Sequence, residues 1–132
     1  MGIPWSSPSF EMKDMIGKTF TAVTNRGNQE LYFIMANGDR FVFHHEQDCC
    51  ESVCIEEIVG DLDDLIDSPL LEAEEVGGKS KWDSEEGESH TWTFYKFGTI
   101  KGHVNVRWYG TSNGYYSESV DRAFLKHEAE SD

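Results

Sequence analysis

Apolar and polar residues alternate strictly from His103 to Tyr109. Val104, Val106 and Trp108 share one face, and His103, Asn105, Arg107 and Tyr109 share the other. A period of two is that of a half-buried β-strand. Thr91–Phe97 is dense in aromatic and Thr residues and predicts the strand before it, with Gly98–Gly102 as the turn between them. Leu31–Ala36 and Phe41–His45 flank Asn37-Gly38, a pattern that predicts a hairpin with a type I′ turn. Gly17–Thr24 reads as a strand leading into a turn at Asn25–Asn28. Gly110–Gly114 reads as a turn, Tyr115–Val120 as a last strand, and Arg122–Asp132 as a charged tail that ends in a short helix or frays.

The middle of the chain changes period. His44–Val53 leaves the strand for polar ground. Ile55, Ile58, Val59, Leu62, Leu65 and Ile66 then fall near helical spacing, interrupted by Gly60. Asp61 is a natural N-cap, so a short acidic helix is expected through Asp67, stopped by Ser68-Pro69. Leu70–Val76 fits a strand or a helical turn. Gly77–Ser89, rich in Gly, Ser, Lys and Glu, predicts a flexible loop. Met1–Phe10 holds two of the three prolines and predicts an irregular arm pinned by Trp5 and Phe10. The sum is an α+β fold, mainly antiparallel β. About six strands would form a single sheet, a small sandwich or a half-barrel, with a short acidic helical insert. One domain is expected over 1–132, with an arm at 1–16, a core at 17–121 and a charged tail at 122–132.

Composition adds a core and a strong charge asymmetry. Four Trp, five Tyr and eight Phe among 132 residues argue against a disordered chain. No run approaches the roughly 20 apolar residues of a membrane-spanning helix, and no signal-peptide pattern opens the chain. With three cysteines, this predicts reduced thiols and a cytoplasmic setting. The net charge is -14, and Glu46–Glu88 carries all of it, with 16 acids against Lys79 and Lys81. Such a field repels phosphate backbones, so direct nucleic-acid binding is not expected. A basic protein surface or a cation is the natural counterpart, and a solvated face that aids solubility is the plain alternative.

Three groups of residues bear on chemistry. His44, His45, Cys49, Cys50 and Cys54 hold zinc-type donors, and His44, His45, Cys49 and Cys54 would be the alternative metal set. There is no Cys-x-x-Cys knuckle, and neighbours on a strand point apart, so no metal and no cofactor is expected. Glu46, Asp48 and Glu51 around the thiols also disfavour a thiolate nucleophile. Asp61–Asp67 lacks the glycine of a calcium loop. The segment Arg107–Ser117 (RWYGTSNGYYS) combines a guanidinium, stacking rings and polar groups on a glycine-containing turn. Arg107, Tyr109, Asn113, Tyr115, Tyr116 and Ser117 are therefore the expected ligand-binding residues, joined by His44, His45 and Gln47 if the two segments meet. The plain reading is a hairpin whose Arg107 pairs with Glu118 or Asp121. No phosphate-binding loop, dinucleotide fingerprint or serine-hydrolase elbow is present.

The runs HHEQDCCESV (His44–Val53), GDLDDLIDSPLLEAEE (Gly60–Glu75), TWTFYKFGTIKG (Thr91–Gly102) and RWYGTSNGYYSESVD (Arg107–Asp121) resemble a family of small phage and prophage proteins known as a domain of unknown function. The resemblance spans roughly Phe20 to Asp121. It implies a viral protein working in the host bacterium's cytoplasm and brings no function. By analogy of setting, such proteins act by binding, and three readings follow. The first is a non-enzymatic counter-defence protein that sequesters a small nucleotide-type signal. The second is an acidic inhibitor, a nucleic-acid mimic being one form of it, that docks Asp61, Asp63, Asp64 and Asp67 on a host protein. The third is a metal-dependent hydrolase using His44, His45, Glu46 and Asp48. Binding ranks above catalysis. A homo-oligomer is also expected, through an edge strand at Tyr115–Val120.

Overall fold

The computed structural model describes residues 8–45, 51–113 and 118–126. Eight strands follow one another: β1 (Phe20–Arg26), β2 (Glu30–Met35), β3 (Arg40–His44), β4 (Ser52–Val59), β5 (Glu72–Asp83), β6 (Glu88–Thr99), β7 (Gly102–Ser112) and β8 (Asp121–Leu125). They form two antiparallel four-stranded sheets, ordered β1-β2-β3-β8 and β4-β7-β6-β5. The protein is thus mostly antiparallel β with almost no helix.

The alternation dictates which faces meet. Leu31 and Phe33 on β2 lie in register with Phe43 and Phe41 on β3 and turn inward. Tyr95 and Phe97 on β6, and Val104, Val106 and Trp108 on β7, do the same in the second sheet. The sheets touch through Phe33–Phe97 (4.8 Å between ring centres), Phe43–Tyr95 (5.0 Å) and Phe43–Phe97 (5.6 Å). Edge-to-face and tilted rings of this kind fill an inter-sheet core and favour it beyond area burial alone. Bridges from Thr19 to Pro69 and from Phe20 to Ile66 tie the first sheet to the β4–β5 connection.

The arm before β1 is pinned as expected at Phe10, whose ring sits edge-on to Phe41 and Phe43. Trp5 lies outside the described residues. A 3₁₀ turn at Met12–Met15 drops Met15 into the core. Its entry is closed by the Asp14 carboxylate accepting the Glu11 N–H.

Several expectations are corrected. The acidic helix is one 3₁₀ turn, Leu62–Leu65, capped by Asp61, whose carboxylate accepts the Asp63 N–H at 3.0 Å. The helical spacing before it has another cause. A bulge between Ile55 and Glu57 inserts one residue into β4, so Ile55 and Ile58, three apart, face the same way, opposite Trp108 and Val106. Glu72 onward is strand, and so is most of the expected Gly77–Ser89 loop. Gly78–Asp83 pairs residue by residue with Glu88–Thr93, because ladder hydrogen bonds are made by backbone whatever the side chains.

The C-terminal strand is Asp121–Leu125, where a helix or frayed tail was expected. It pairs with β3 and lays Phe124 on Phe41 at 5.0 Å. Glu118–Val120 is irregular, so the expected edge strand at Tyr115–Val120 is not formed there; Tyr115 and Tyr116 lie outside the described residues. The Asn37-Gly38 hairpin forms, yet only Gly38 takes positive φ (96°). Gly38 N–H donates to Met35 C=O and Met35 N–H to Asp39 C=O, which makes a three-residue loop closed by a glycine bulge. The pair of positive φ values that a type I′ turn needs occurs one hairpin earlier, at Gly27 (62°) and Asn28 (61°).

Candidate functional site

Two places concentrate polar chemistry, one inside the molecule and one on its surface. The inner one sits where β3 ends and β8 begins. The His45 ring is almost fully buried, with Nδ1 2.8 Å from the Ser119 carbonyl and Nε2 2.8 Å from Glu51 Oε2, whose side chain is fully buried. A carbonyl only accepts, so Nδ1 carries a hydrogen. Nε2 then faces a carboxylate, and the contact requires a further proton on the ring or on Glu51. Glu118, also buried, accepts hydrogen bonds from Ser89 Oγ (3.3 Å), Thr91 Oγ1 (2.7 Å) and Ser112 Oγ (2.5 Å). His45 thus meets the chain at Ser119, two residues beyond the expected Arg107–Ser117 binding segment. His44 is buried in register with Asp121, and the nearly buried His45 ring has both nitrogens engaged. This is a polar lock between strands.

The outer place is the exposed face of β6 and β7. The alternation that sends Tyr95, Phe97, Val106 and Trp108 inward sends His90, Trp92, Phe94, Arg107 and Tyr109 outward. His90 stacks on Trp92 and Tyr109 (6.1 and 5.8 Å between ring centres), and Trp92 meets Tyr109 at 5.3 Å. The Tyr109 hydroxyl lies 2.6 Å from His90 Nδ1. Burial, reinforced by the negative charge of Glu88, pushes the Tyr109 phenol up, so it keeps its proton at neutral pH. Beside these rings a groove of about 270 Å³ is lined by Val59, Val76, Phe94, Lys96, Asn105 and Arg107.

Arg107 has different partners from those expected. Its Nε donates to Glu56 at 2.7 Å and its Nη2 pairs with Glu57 at 2.9 Å, both on neighbouring β4. Two carboxylates against one guanidinium leave this corner net negative, a poor phosphate grip. Asn113 is exposed at the end of β7. Cys54 lies on β4 in register with Tyr109, and of the alternative metal set His44, His45, Cys49 and Cys54 the three described members are not brought together. Gln47, Cys49 and Ser117, with both tyrosines before it, lie outside the described residues.

The four acids of the docking expectation sit together in the β4–β5 connection. Asp61, Asp63 and Asp67 are exposed, while Asp64 is half-buried, with its backbone carbonyl accepting the Thr99 hydroxyl. Trp92 and Phe94 were not singled out by the sequence, while His90 entered only as a distant ligand for the metal-dependent hydrolase reading. Thr91–Phe97 is aromatic on both faces, so alternation alone does not say which rings face solvent.

A family profile described as a domain of unknown function, DUF7448, matches residues 13–122. No curated protein and no solved structure matches the chain.

Proposed function

The chain belongs to the DUF7448 family, and from its geometry we propose a non-enzymatic binding protein that seats a planar, nucleotide-type small molecule, ring first, on the outer face of β6 and β7. The observation that carries this reading is the aromatic platform of Trp92, Phe94 and Tyr109 beside an open groove, on the solvent side of a sheet whose other side is the core. Aromatic rings on a sheet face stack heterocycles without needing a charged anchor. The Arg107–Glu56–Glu57 cluster and the acidic strands on either side favour the ring end of a ligand over its phosphates. The resemblance to phage and prophage proteins supplies the setting: sequestration of a defence signal in the cytoplasm of a host bacterium.

The test is calorimetry and saturation-transfer NMR of the whole chain against nucleosides, nucleotides and cyclic dinucleotides. Saturable binding is expected, with Phe94→Ala and Tyr109→Ala each weakening it by about 1–3 kcal/mol, the value of one base–ring stack. Failure of the whole panel to bind, or binding indifferent to both substitutions, would discard the reading.

One observation favours a second reading, docking on a host protein. Ile100 is 84% exposed at the β6–β7 turn, and its neighbour Lys101 donates to the Ile66 carbonyl of the acidic connection. An exposed aliphatic beside Asp61, Asp63 and Asp67 is the composition of a small contact surface. Charge reversal at these three acids separates the readings, because it leaves the aromatic platform untouched.

A further inference from the structure

The tip of the β5–β6 hairpin brings Asp83, Glu86 and His90 together, with one ligand atom from each lying within 4.8 Å of the others. We propose that these three side chains form a binding site for a divalent transition-metal ion such as manganese or zinc.

The imidazole distinguishes the cluster from a patch of surface acids. His90 is mostly buried and stacked against Trp92 and Tyr109, and its Nδ1 is occupied by the Tyr109 hydroxyl at 2.6 Å. A metal-ligating histidine is ordinarily fixed in this way, one nitrogen bonded to an outer partner and the other left for the ion. Nε2 is the free nitrogen here; its charged neighbour is Glu88 Oε1 at 3.8 Å, beyond hydrogen-bond reach. Asp83 is restrained as well. Its Oδ1 accepts the N–H groups of Glu85 (3.0 Å) and Glu86 (3.3 Å), which leaves Oδ2 for an ion.

One imidazole and two carboxylates are donors of intermediate hardness. They suit manganese or zinc better than calcium, which takes oxygen ligands in larger number. Three protein ligands leave at least one coordination position open to solvent or to a bound molecule. The site stands on its own geometry and does not depend on the proposed ligand of the aromatic face.

Manganese is the first probe, because it is paramagnetic and avoids thiols. Titrating Mn²⁺ into the whole ¹⁵N-labelled chain should broaden amide signals of residues 83–91 and 109–111 first, and saturate at one ion per chain. His90→Gln and Glu86→Gln should each weaken binding at least about tenfold, and Tyr109→Phe by about tenfold through loss of the outer hydrogen bond. Glu85→Gln removes the same charge from the same tip without touching the cluster and should stay within about twofold of the parent. Glu85 and Glu86 are solvent-exposed, so their variants keep the fold, and a ¹H–¹⁵N spectrum without metal verifies that the His90 and Tyr109 variants do too. Unsaturated broadening across the acidic surface, Glu85→Gln as damaging as Glu86→Gln, or no effect of His90→Gln would each overturn the site.

Discussion

Single side chains carry a disproportionate part of this molecule's polar energetics. Glu118 is a buried carboxylate whose described partners are three hydroxyls, so its charge is balanced by oriented dipoles. Glu118→Ala leaves Ser89, Thr91 and Ser112 without that acceptor and should cost about 2–3 kcal/mol, read as a lower urea midpoint at unchanged slope. Glu118→Gln keeps an accepting oxygen and should cost less. Tyr95 makes the opposite test. Its phenol is pushed far above the ordinary 10.0 by burial first and by Glu75 second. A group with a raised folded pKa contributes stability that is complete below the unfolded pKa and disappears as pH climbs through the folded one. Unfolding free energy should therefore hold to pH ~9 and decline above pH ~10, and Tyr95→Phe should flatten that decline. Tyr32 and Tyr109 shift in the same direction and contribute the remainder.

At the scale of elements, turns and bulges decided what was legible in advance. β7, with its clean alternation, and β2, β3 and β6, dense in aromatic and branched residues, could be read from their residues, as could the described Pro8–Phe10 part of the irregular arm. β4 could not, because its bulge turns a period of two into apparent spacing of three and imitates a helix. The outer half of the β5–β6 hairpin was illegible for another reason. It extends past the core, so no hydrophobic period marks it, and only the register with Ser89–Thr93 makes it strand. The candidate site suffered likewise: Arg107 and Tyr109 were visible, while Trp92 and Phe94 hid in a run aromatic on both faces. Close approach at the other end of the second sheet gives a sharp test. Gly60 has φ of 112°, and a Cβ there would meet the His103 carbonyl at 2.5 Å. Gly60→Ala should cost about 2–3 kcal/mol through backbone strain and clash together. At Gly98 the added atom would meet the His103 ring at 2.6 Å and Glu72 Oε1 at 3.4 Å, exposed side-chain ends that can shift together. Gly98→Ala should cost about 1 kcal/mol or less, and thermal melts of the two variants compare them directly.

Across the whole molecule, the charge asymmetry acquires a place. The acid-rich stretch Glu46–Glu88 includes β4, β5 and their connection, and β4 and β5 are the two edges of the second sheet. An edge strand presents unpaired N–H and C=O groups to any passing strand. Here the edges also expose Val59 on β4 and Val76 and Trp82 on β5, which would favour sheet-to-sheet association. Glu56 and Glu57 on one edge, and Glu72, Glu74 and Glu75 on the other, oppose it by like-charge repulsion. The acids therefore frame the aromatic face of β6 and β7, and like-charge repulsion between edges is expected to oppose its covering by another copy. Neutralising one edge tests this. Glu72→Gln with Glu74→Gln should leave the fold intact and raise self-association above that of the parent chain in sedimentation experiments at low ionic strength. Salt should bring the parent part of the way toward the variant, because the repulsion is screened over roughly 10 Å at 0.1 M. A variant no more associated than the parent under all these conditions would mean that edge twist and the register shift between Glu75 and Gly78 on β5, and not charge, protect the sheet.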